Sequence, residues 1–95
     1  MATEISLNSR VEISKDVLFQ ELNGESVLLN LSTGVYLGLN QVGTRIWELL
    51  QADGALSTVM AKLLDEYDVA EETLSKDLLS LVSQMETQGL LSDAG

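Results

Sequence analysis

Few side chains in this sequence could do chemistry, and their types are restricted. Neither histidine nor cysteine occurs. Imidazole bases, thiolate nucleophiles, Cys/His zinc sites and disulfides are therefore excluded together. Acid–base work would fall to carboxylates, lysines, Tyr36 or Tyr67. Asp65, Glu66 and Asp68 cluster around Tyr67, where carboxylates could meet a hard cation. They lack the alternating oxygen ligands and loop glycine of a calcium loop, so a solvated helix end is the expected state of this run. Gly34-Val35-Tyr36-Leu37-Gly38 does not open a helix after a strand, which removes a dinucleotide or phosphate loop. Trp47 falls on an apolar helical face and reads as core, because aromatic side chains bury large areas. Arg45 and Glu48 flank it as surface residues. What remains is the chemistry of the backbone. Val35 to Leu39 reads as a strand with no charge and no proline. Edge strands normally carry such devices to prevent stray pairing. A bare edge offers N–H and C=O groups in register to an added strand.

The elements that must position this strand can be read from alternation and turn residues. Val17 to Leu22 is a first full strand, and Asn23-Gly24 suits the two-residue turn that needs positive φ at both positions. In the second strand Val27, Leu29 and Leu31 share one face, with Leu28, Asn30 and Ser32 on the other. Ser32-Thr33-Gly34 makes the next turn. Val35, Leu37 and Leu39 then alternate with Tyr36 and Gly38. Paired as a meander, these strands leave the first and third at the edges. The first carries Glu21 beside Lys15 and Asp16, whereas the third is unguarded. Arg10 to Ile13 could form a further short strand, and Met1 to Asn8 reads as loose.

The second half of the chain has helical periodicity. Asn40 is a cap, after which Val42, Ile46, Leu49 and Leu50 fall on one face until Asp53-Gly54. Ser57 is the expected cap of a second helix, with Leu56, Val59, Met60, Leu63, Leu64 and Tyr67 as its apolar face. Glu71 and Glu72 suit the first turn of a third helix, whose face is Leu74, Leu78, Leu81, Val82 and Met85. Gly89 ends it, Leu90-Leu91 returns to the core, and Ser92 to Gly95 is expected to fray. The fold expected is α+β and winged-helix-like, a three-stranded antiparallel sheet followed by three helices packed on one side.

Ninety-five residues make a single domain, with an ordered core expected over about residues 10–91. The formal net charge is -10, and most acids follow Asn40, against Arg45, Lys62 and Lys76. Such a domain repels phosphate backbones and would attract basic peptides or surfaces, although the acidity is read first as conferring solubility. No apolar run approaches the roughly 20 residues of a membrane span, and no basic stretch leads an apolar block at the N-terminus. With no cysteines, these features lead us to expect a cytoplasmic protein without cofactor or metal.

Several of these residues together resemble the PqqD-like family, also called RiPP recognition elements. The resemblance rests on Val27-Leu28-Leu29-Asn30-Leu31, Thr33-Gly34, Tyr36, Leu39-Asn40, Val42-Gly43 and Ile46-Trp47-Glu48-Leu49-Leu50. It continues through Tyr67-Asp68, Asp77-Leu78 and Gly89-Leu90-Leu91. The resemblance implies a non-catalytic adaptor that binds the leader of a ribosomally made precursor peptide. It presents that peptide to a modifying enzyme, a radical S-adenosylmethionine protein in the pyrroloquinoline quinone pathway. It further implies docking as an added strand along Val35, Tyr36, Leu37 and Gly38, beside a groove walled by Thr73, Lys76, Asp77 and Ser80. The competing readings are a winged-helix transcription factor and a structural subunit of an oligomer. A recognition helix should be basic, but the third helix offers Lys76 against Glu71, Glu72, Asp77 and Glu86.

Overall fold

The computed structural model describes residues 5–94. Five strands and three helices follow in the order β1 (Val11–Ile13), β2 (Val17–Leu22), β3 (Glu25–Asn30), β4 (Tyr36–Leu39), α1 (Gln41–Ala52), α2 (Leu56–Glu66), α3 (Glu71–Thr87) and β5 (Leu91–Asp93). The three-stranded antiparallel sheet has the order β2-β3-β4. Local chemistry accounts for its corners. Asn23 and Gly24 sit at φ 56° and 82°, the left-handed values that a two-residue primed turn demands.

Register decides which sheet face is buried. Phe19, Leu28 and Leu37 form one inner row, and Glu21, Ser26 and Leu39 the next. Leu28 and Leu39 belong to the core, together with Ile46, Trp47, Leu56, Leu78 and Met85 from the helices. Two buried polar groups lock the sheet to its neighbours. The hydroxyls of Ser26 and Thr44 meet at 2.7 Å, joining β3 to α1. Asn30 donates from Nδ2 to the carbonyls of Gln88 (3.1 Å) and Gly89 (3.3 Å), while its Oδ1 accepts from the amides of Ser32 and Thr33. One side chain thus shapes the β3–β4 turn and fixes it to the end of α3.

The structure departs from the sequence reading at the chain ends and at one cap. Leu91 returns to the core as expected, but Ser92 and Asp93, expected to fray, continue with it as β5, paired antiparallel with β1. Ile5 and Leu7 pack against the core, so the segment read as loose is anchored over its described part. Residues 1–4 and 95 lie outside the described residues. The N-cap of α2 is Ala55 rather than Ser57, without a side-chain hydrogen bond. Asp53 organises that corner instead, accepting from the Ala55 amide at 3.0 Å.

On the surface, Arg45 of α1 grips Glu66 at the end of α2 through two hydrogen bonds of 2.8 and 2.7 Å and reaches Glu48 at 3.4 Å. Those bonds hold the Glu66 carboxyl below the usual carboxylate range, with the positive charges of Arg45 and Lys62 adding to the effect. A carboxyl lowered on folding contributes stability above its ordinary pKa and loses it as pH falls through the lowered value. Glu66→Gln is therefore expected to melt a few degrees below the wild type at neutral pH. That gap should close on acidification below the ordinary carboxylate range. A gap that stays constant across a pH series of melting curves would refute the assignment.

Candidate functional site

The edge strand β4 and the helix α3 face each other across a groove. Asn40 closes β4 and opens α1, its side chain accepting from the Gly43 amide at 2.9 Å. That cap turns the chain so that the first turns of α1 form the groove floor. The cavity is about 370 Å³, lined by Gly38 to Asn40, by Val42, Gly43 and Ile46, and by Asp77 and Leu81. Asp77 and Leu81 stand one helical turn apart on α3, so they share one stripe. The lining is apolar apart from Asn40 and Asp77. Asp77 is exposed and makes no ion pair among the described residues.

The backbone of β4 is half used. The Asn30 amide donates to the Val35 carbonyl at 2.8 Å, and Leu28–Leu37 and Ser26–Leu39 are opposite pairs in the same register. Hydrogen-bonded and non-bonded pairs alternate in an antiparallel ladder. The amides and carbonyls of Tyr36 and Gly38 consequently point away from β3. Among the described residues β4 pairs with β3 alone. A Cβ on Gly38 would meet no atom within 4 Å, so the outer face is open at this position of the edge strand.

The residues singled out from the sequence fall in three places. Tyr36, Leu37 and Gly38 lie in β4, with Val35 immediately before it. Of the four positions named on α3, Asp77 lines the groove. Thr73, Lys76 and Ser80 are exposed on the same helix and are not among the groove-lining residues. The floor residues Val42 and Ile46 and the wall residue Leu81 were read from periodicity only as core. A signal did exist for Leu81. It sits at the margin of the α3 apolar face, next to the polar stripe, and it is partly buried rather than fully buried. Near Tyr67 no group of three or more acidic residues is placed to hold a metal ion among the described residues. Glu66 there is engaged by Arg45. No described helix is long and apolar enough to cross a membrane.

Comparison with known proteins gives consistent findings. The family model described as coenzyme PQQ synthesis protein D matches residues 25–91. No curated protein matches the chain. A solved structure described as TbiB1 in complex with the TbiA(beta) leader peptide is 34% identical, with a TM-score of 0.79 over 85% of this chain and 94% of that one. A second, a lasso peptide synthetase B1 complexed with the leader peptide, is 21% identical and has a TM-score of 0.77. It covers 88% of this chain and 99% of its own, and at that identity it supports the fold alone. The matched span runs from the first residue of β3 to the first of β5 and so contains both walls of the groove. This chain belongs to the PqqD family.

Proposed function

We propose that the domain is a non-catalytic adaptor that captures the leader segment of a ribosomally made precursor peptide and presents it to a modifying enzyme. The observation that carries this reading is the free edge of β4 lying beside an apolar groove. A guest strand finds donors and acceptors at Tyr36 and Gly38, and every second guest side chain enters the space between β4 and α3. Main-chain bonds supply affinity that tolerates sequence, and the groove supplies selection. Val35 and Leu37 keep β4 seated on β3. Asp77 sets a negative charge on a wall otherwise formed by Leu81. Thr73, Lys76 and Ser80 are exposed on α3 outside the groove lining, where a longer guest side chain would reach them.

The 34% identical relative was solved with a leader peptide, which supports the same kind of guest here. The family is named for a cofactor pathway and the other solved relative for lasso peptide synthesis. Catalysis by the domain itself is disfavoured by the absence of histidine and cysteine.

The test is a titration of isotope-labelled domain with the synthetic leader of its own precursor peptide. Amide shifts are expected at Tyr36 and Gly38, with smaller ones at Asp77 and Leu81. Unmoved signals along residues 35–38 at several hundred micromolar peptide would defeat the reading.

A further inference from the structure

The sheet has a second apolar surface that the groove does not use. On its outer face the row Leu18, Leu29, Tyr36 lies beside the row Gln20, Val27, Gly38. Leu18 is 43% exposed, Val27 45%, Tyr36 71% and Leu22, at the end of β2, 76%. A depression of about 170 Å³ lies between Leu18, Val27, Leu29 and Tyr36. Single exposed leucines are ordinary, but a contiguous apolar set on one face marks a contact surface.

We infer that this outer face docks the enzyme that acts on the captured peptide, through an apolar surface bordered by lysine or arginine on that enzyme. The inference rests on the capture reading above. Continuity is its main support. Tyr36 and Gly38 belong both to the outer face and to the free edge. A guest strand on β4 must turn alternate side chains to this same face. A protein seated here therefore touches the domain and its guest together, and it can distinguish a loaded adaptor from an empty one. A second, larger concavity of about 880 Å³ lies at the β2–β3 hairpin end of the sheet, bounded by Leu22, Glu25 and Val27 of the outer face and by Glu21, Ser26 and Leu39 of the inner one.

Charge identifies the kind of occupant. Glu25 stands opposite Leu22 on this face, and Asp16 lies just before β2, whereas the outer rows carry no lysine or arginine. The domain as a whole has a net charge of -10. A second copy would set acid against acid, while a basic border is attracted and steered. The chain also has neither histidine nor cysteine, and under the capture reading a held peptide meets its chemistry on another protein.

The experiment uses Leu18→Gln and Leu22→Gln, made separately on exposed positions outside the capture edge. The probe is the purified enzyme that modifies the same precursor peptide, immobilised, with synthetic leader at saturation. Each variant is expected to bind leader within about twofold of the wild type and the enzyme at least about tenfold more weakly, a difference of about 1.4 kcal/mol. Retained leader binding reports an intact fold, and either variant alone suffices if the other is damaged. Unchanged enzyme affinity with leader binding retained overturns the docking proposal and leaves capture standing. A wild type that fails to bind leader at all overturns capture, and this proposal with it. Sedimentation showing a wild-type dimer that both substitutions disperse assigns the face to a second copy and also overturns the proposal.

Discussion

Gly38→Pro is expected to keep the domain folded and to cost at least about tenfold in leader affinity, the equivalent of one lost net hydrogen bond together with steric obstruction. The register places the Gly38 amide on the side of β4 away from β3, so no ladder bond within the sheet is removed. Proline is tolerated in sheets at such edge positions. The residue before it, Leu37, is already extended, which the ring requires. A Cβ at Gly38 would meet no atom within 4 Å, so that part of the ring has room. A guest strand loses a donor and meets a methylene where it needs a hydrogen. Gly38→Ala separates the two effects. It adds a side chain but keeps the amide, so its melting temperature should stay near the wild type and its affinity should fall less. Calorimetric titration of both variants with the same leader decides the matter. Equal affinity of Gly38→Pro and wild type would mean that the guest does not add to β4.

The largest effect on stability is expected at Gly54. It is buried, and its backbone runs against β1. The Val11 amide donates to the Gly54 carbonyl at 2.9 Å, Leu56 donates to Ser9 at 3.1 Å, and Arg10 bridges Ala55. A Cβ on Gly54 would fall 2.0 Å from the Val11 carbonyl oxygen. That neighbour is backbone and cannot rotate away. Gly54→Ala must separate β1 from the α1–α2 corner and should cost about 3 kcal/mol, from overpacking plus disrupted hydrogen bonds. For a domain of this size the melting temperature would drop by roughly 10–20 °C. The paired strand β5 would loosen with β1, so amide exchange should accelerate at residues 91–93 before the rest. A variant melting within a few degrees of the wild type would show that the close approach is not maintained in solution.

These two glycines also mark how far the sequence could be read. Asp53-Gly54 is legible as a helix stop, and α1 does end at Ala52. The reason for a glycine there is not legible, because the obstructing atom belongs to Val11, far away in the chain. The edge of β4 is different. Its lack of charge and proline is a property of neighbouring residues, and among the described residues that side of β4 stays unpaired. The groove was half visible. Its strand wall follows from the meander, but the rotation of α3 about its axis is set by packing against the rest of the core. That rotation places Leu81 and Asp77 at the groove and leaves Lys76 and Ser80 outside its lining.

By itself the sequence determined the primed turn at Asn23-Gly24, the Asn40 cap, the helical faces and the unguarded third strand. Each depends on dihedral preferences or side-chain periodicity within a few residues, and such terms act before any tertiary contact forms. Only the tertiary structure decided the β1–β5 pairing, the close contact at Gly54, the Arg45–Glu66 grip and the buried side of the sheet. These join segments distant in sequence, where three-residue strands carry too little pattern to name a partner. Both faces of β3 hold leucines, so exclusion of water alone allowed either. The hydrogen bonds of Ser26 to Thr44 and of Asn30 to the end of α3 favour the face that is buried.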